Sequence, residues 1–100
     1  MATRLQLDEE LRLFTDNVYY NPPASVNMNY DCIRYKKTGV DTLKANNNTY
    51  HKTSEYELIV ISDDPDCELP DKLMDHFQMC SFVRFYTADG LNHFVLRLYY

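Results

Sequence analysis

Tryptophan is absent from the 100-residue chain, glycine occurs only at positions 39 and 90, and cysteine only at 32, 67 and 80. So little glycine excludes a Gly-rich loop that would cradle a phosphate. It also excludes a tight elbow presenting Ser25, Ser54, Ser62 or Ser81 as a nucleophile. Three cysteines, an odd number without an N-terminal signal pattern, read as reduced thiols in a cytoplasm rather than as a disulfide framework. The Asn47-Asn48-Thr49 sequon carries no weight without a secretory route. Among the cysteines and His51, His76 and His93, only His76 and Cys80 have a close helical spacing. Zinc needs four converging ligands, usually in short paired spacings, so neither a metal site nor a cofactor is expected. A basic surplus is lacking too: 10 Lys and Arg face 15 Asp and Glu, a net charge of −5. That balance argues against a general affinity for nucleic-acid backbones. No apolar run approaches the ~20 residues of a membrane-spanning helix, so no membrane partner is expected.

What the chain does have is tyrosine, nine of them in 100 residues. Tyrosine suits strands and contact surfaces, because it buries a flat apolar body and keeps a polar tip. Residues 3–14 predict a short helix. Thr3 and Gln6 have capping-box spacing, and Leu7, Leu11 and Phe14 fall on one face. Asp8, Glu9 and Glu10 are read as occupying its first turns, where the helix dipole favours negative charge.

Val18-Tyr19-Tyr20 predicts a brief strand, stopped by Pro22-Pro23, which offer no backbone donors. Residues 30–37 predict a second strand, with Tyr30, Cys32 and Arg34 on one face and Ile33 and Tyr35 on the other. The polar stretch 38–53, with its run Asn46-Asn47-Asn48, reads either as a projecting hairpin or as a disordered loop. Lys36, Lys37 and Lys44, with Arg34, read as the solvated cover of an edge strand.

Residues 55–62 give the clearest strand, with Tyr56, Leu58 and Val60 alternating with Glu57, Ile59 and Ile61. Residues 70–77 predict a second helix with Pro70 in its first turn. Two final strands, 81–86 and 93–100, complete the order α-β-β-β-α-β-β. The expectation is one α+β domain over residues 1–100, with two short helices packed on a mostly antiparallel sheet.

Two fragments resemble functional motifs without completing them. Asp63, Asp64, Asp66, Glu68 and Asp71 have the composition of a calcium loop, but the obligatory glycine is missing and Pro65 interrupts the run. Phe82-Val83-Arg84-Phe85 resembles the end of the aromatic signature of RNA-recognition motifs. Its preceding basic-Gly-aromatic-Gly portion is absent and the element order differs, so an ordinary amphipathic strand is the expectation.

A longer pattern covers almost the whole chain. Val18-Tyr19-Tyr20-Asn21-Pro22-Pro23 followed by Tyr30-Asp31-Cys32-Ile33-Arg34-Tyr35 resembles the tail completion, or tail terminator, proteins of tailed bacteriophages. So do Tyr56-Glu57-Leu58-Ile59-Val60-Ile61 with Asp64-Pro65-Asp66, then Met79-Cys80-Ser81-Phe82, then Tyr86-Thr87-Ala88-Asp89-Gly90-Leu91-Asn92-His93. The chain departs from the family pattern at Asp31, where proline is expected, and at Gly90, where asparagine is usual.

The resemblance implies a virion protein of the tail–neck region, made in the cytoplasm of a bacterial host and without enzyme activity. It implies a homohexameric ring on the head-proximal end of the tail tube, which stops tube polymerisation. The implied partners are other copies of the chain, the tail tube protein, a head–tail connector or head-closure protein, and DNA that passes through the lumen without specific binding. Under that reading Tyr19, Tyr20, Pro22, Pro23, Lys36, Lys37, Leu43, Lys44 and Tyr50 are candidate contacts to a subunit or to the tube. Asp63, Asp64, Asp66 and Glu68 are candidate lumen charges. A head-closure or neck protein of the connector is the alternative within the same setting. An RNA-recognition-type binding module is the alternative outside it.

Overall fold

The structure, a computed structural model, describes residues 3–22, 30–45 and 48–100, with 40–45 and 48–53 described as backbone. Its elements run α1 (Arg4–Leu11), β1 (Val18–Tyr20), β2 (Cys32–Ala45), β3 (Asn48–Ser62), α2 (Leu69–His76), β4 (Cys80–Ala88) and β5 (Leu91–Tyr99). This is the α+β order expected from the sequence. The five strands form one sheet in the order β1-β2-β3-β5-β4. All pairings are antiparallel except β1 with β2, which is parallel and aligns Val18, Tyr19 and Tyr20 with Ile33, Arg34 and Tyr35.

Both helices cover the same face of the sheet. Leu7 and Leu11 of α1 and Leu73 of α2, with Phe77 beyond it, join Val18, Ile33, Tyr35, Tyr56, Leu58, Val60, Phe94, Leu96 and Leu98 in a single buried cluster. The period-2 alternation of β3 and β5 sets this up. Tyr35 lies opposite Leu58, and Leu58 opposite Leu96, so the inward residues of three neighbouring strands stack across the ladder. The opposite face mixes Arg34, Lys36, Glu57 and Arg97 with Ile59, Ile61 and Val95.

Helix α1 begins as its sequence indicates. The Thr3 hydroxyl accepts from the Gln6 amide at 3.2 Å, and the Gln6 side chain accepts from the Thr3 amide at 2.8 Å. It ends earlier than the 3–14 expectation, at Leu11, and this corrects the dipole argument. The first turn holds no acidic residue. Asp8, Glu9 and Glu10 fall in the second half of an eight-residue helix, where the dipole does not favour them.

The 38–53 stretch takes the hairpin alternative. Strands β2 and β3 pair from Cys32–Ile61 out to Ala45–Asn48, far beyond the limits of residues 37 and 55 expected for them. Pairing with β5 stops at Glu55–Tyr99, followed by one bond from the Tyr100 amide to the Ser54 carbonyl at 2.9 Å; beyond it, among the described residues, the two strands pair only with each other. A bulge at Thr38 marks where this arm leaves the body. The extra residue is held by its own hydroxyl, which donates to the Glu55 carbonyl at 3.2 Å or to its carboxylate at 3.0 Å. At the other end of the sheet, β4 and β5 join through Asp89-Gly90 alone, with φ of 53° and 75°. Positive φ at both turn residues matches the strand twist and makes glycine the natural occupant of the second position. This turn is four residues shorter than the 87–92 connection expected from the sequence.

Candidate assembly surfaces

The expected contact residues fall into two groups. Tyr19, Tyr20 and Pro22 lie at β1, the short edge strand, and Pro23 lies outside the described residues. Tyr19 is half-buried. Tyr20 is 40% exposed on the helix-covered side, meeting the Tyr35 ring edge-on at 5.0 Å with the Arg4 guanidinium 4.7 Å above it. The second group follows β2 into the arm. Lys36 and Lys37 are exposed, while Leu43 and Lys44 of β2 and Tyr50 of β3 belong to the arm backbone. Leu43 pairs with His51 and Lys44 with Thr49, so Tyr50 is the extra residue of a second irregularity.

Beside β1, α1 is tied to the sheet by a polar cluster. The Tyr35 hydroxyl donates to Asp8 Oδ2 at 2.5 Å, and Arg12 Nε donates to Asp8 Oδ1 at 2.6 Å. Arg12 Nη2 also reaches the Val18 carbonyl at 3.4 Å. Partial burial works against the charged form of Asp8, but the bonds from Tyr35 and Arg12 outweigh it and hold the carboxyl below its ordinary range. Burial and the bond to Asp8 push the Tyr35 phenol up to about 12.

A depressed carboxylate contributes stability that is present above its unfolded pKa and lost as pH falls through the folded one. A raised phenol contributes stability present below its unfolded pKa and lost as pH rises through the folded one. Stability from this cluster should therefore be flat from about pH 5 to 9, falling in acid and again towards pH 12. Urea titrations of Asp8→Asn should show a weaker acid-side fall than the wild type, and an unchanged acid limb would contradict the assignment.

Asp63, Asp64, Asp66 and Glu68, the candidate lumen charges, are all exposed in the turn between β3 and α2. They sit at the end of the sheet opposite the arm. Asp64, Asp66 and Glu68, with Asp31 and Lys72, border an open basin of about 540 Å³. The turn is internally bonded: the Asp64 amide donates to Ser62 Oγ at 3.0 Å and the Asp66 amide to Asp64 Oδ1 at 2.9 Å. The N-cap of α2 is Glu68, which makes no side-chain capping bond. Among the described residues, no three His, Cys, Asp or Glu side chains are placed to hold a metal ion, and no helix is long and apolar enough to cross a membrane.

Sequence reasoning missed the surface on β4. The expected amphipathic strand is instead a sheet edge exposed on both sides, with every residue of 81–87 exposed. Met79, Phe82, Val83, Phe85 and Tyr86 supply five of the nine exposed large hydrophobic residues among the described positions. Phe82 and Phe85, opposite Leu96 and Phe94, lie on the helix-covered side yet remain 48% exposed, because the helices leave this margin uncovered. A bulge at Val83 turns Val83 and Arg84 towards the open face. The available signal was the failure of strict alternation in Phe82-Val83-Arg84-Phe85-Tyr86.

Charge is divided between the layers. Residues 4–16 and 63–76, the helices and their adjoining turns, hold ten of the fifteen acidic residues but three of the ten basic ones, a net −7. The remainder of the chain is therefore +2. Comparison with known proteins gives no matching family model and no matching curated protein.

Proposed function

We propose that this chain is a structural protein of a tailed-bacteriophage virion, a tail terminator that closes the tail tube as a six-membered ring and joins it to the head connector. The observation that carries the reading is the chain-long pattern of short motifs in order and spacing, from Val18-Tyr19-Tyr20-Asn21-Pro22-Pro23 to Ala88-Asp89-Gly90-Leu91-Asn92-His93.

The surfaces support it. An enzyme gathers convergent polar groups in an apolar cleft, whereas the described residues present an apolar edge strand, a protruding ribbon and charge separated between two layers. Such features suit repeated contact between copies. A body with different edges on its two sides, β1 and β4, favours heterologous contacts, which close into a ring when the rotation permits. In this ring the arm engages the tube or an adjacent subunit, and the exposed carboxylates at 63–68 line the lumen, where they repel the phosphates of passing DNA. Mass measurement on isolated tail–neck assemblies should give six copies per tail. Three, twelve or fifteen copies would contradict the terminator assignment and favour another neck component.

A further inference from the structure

We propose that the free edge of β4 is the docking strand for a second copy of this chain, which adds the part of its own β2 running past β1, residues 36–45. This names the seam of the ring and so rests on the terminator reading.

Three observations converge on it. Strand β4 has nine residues, pairs on one side only, and carries Phe82, Val83 and Phe85 exposed along that edge. A long apolar edge of this kind is a template for strand addition unless something covers it. On the opposite side of the sheet, β1 pairs with only three residues of β2, Ile33–Tyr35. Among the described residues, nothing pairs with that edge of the ten residues that follow in β2, a stretch of matching length. Residues 40–45 among them also belong to a two-stranded ribbon, which is marginal alone and gains from a third strand.

The third observation is charge. Residues 36–53 hold four lysines and one aspartate, a net +3, whereas residues 69–79, α2 and its link into β4, hold two acidic residues and one lysine, a net −1. Helix α2 packs beside β4. The basic arm of one copy laid along β4 of the next therefore meets a flank of opposite, though small, net charge. Pairing β4 with β4 instead would set Arg84 against Arg84 and one acidic flank against another. Complementarity thus selects the head-to-tail contact over the two-fold one.

The test is hydrogen–deuterium exchange of the full-length protein, dispersed and then assembled, either by concentration or on purified tails, with mass measured in parallel. The seam predicts that peptides covering 80–88 and 36–45 slow together on assembly, by at least ~10-fold. Protection of 80–88 without 36–45 would overturn the seam, as would protection of neither in a six-copy ring, which leaves the terminator reading intact. Failure to assemble under any condition would overturn both. As a second arm, Phe82→Glu with Phe85→Glu alters side chains already half exposed. The variant should keep the wild-type circular dichroism and assemble at least ~100-fold more weakly, and wild-type assembly would refute the contact.

Discussion

Replacing Leu58 with Ala should cost about 3 kcal/mol, within the ~2–5 kcal/mol range for emptying a fully buried leucine site. Leu58 is fully buried at the centre of the sheet, between Tyr35 on β2 and Leu96 on β5, beneath both helices. Neighbouring strands are held by their backbone ladders and cannot collapse into the space. For a domain of this size, whose total stability is of the order of 5–15 kcal/mol, the melting temperature should fall by ~10 °C or more. Ile59→Ala supplies the contrast. Ile59 is the next residue along, half-buried on the face without helices, and its truncation should cost less than half as much. Equal losses at the two positions would contradict the one-sided core.

The second large effect belongs to the arm. Replacing residues 40–53 with an Asn-Gly turn should leave the body folded, because pairing of β3 with β5 begins only at Glu55. Thermal unfolding should stay close to that of the wild type. Tail completion should be lost, with tubes growing beyond their normal length, since the arm is proposed to form the contact to the tube or to the neighbouring subunit. Normal tails assembled from this variant would make the arm a passive surface feature.

The body of the fold was legible because its signals are local. Alternation in 55–62 and 93–100 placed the two central strands, the Thr3–Gln6 pair placed the start of α1, and Pro70 together with Leu73 and Phe77 placed α2. The arm was ambiguous because its ladder is made by backbone groups. Polar side chains and an Asn run neither require nor forbid that ladder, so hairpin and loop read alike.

The misplacement of Asp8, Glu9 and Glu10 has a different cause. Their charge suggested a first turn, but Leu7 and Leu11 set the helix limits by packing, and Tyr35 and Arg12 compensate Asp8 from elsewhere in the chain. The edge position of β4 was hidden because strand order is a long-range property. Phe82-Val83-Arg84-Phe85 reads the same way at a sheet centre as at its margin. Of the candidate contacts, the exposed lysines followed from composition, whereas the apolar margin of β4 emerged only once the helices were seen to stop short of it.

The central claim is that this chain terminates a tail tube as a ring of six. Averaged electron-microscope images of tails detached from heads test it most directly, when wild-type tails are compared with tails from phage lacking the protein. The account predicts a six-fold ring at the head-proximal end of wild-type tails, and tubes of irregular, excessive length without that ring when the protein is missing. Tubes of normal length in its absence, or a ring of different symmetry belonging to this protein, would contradict it.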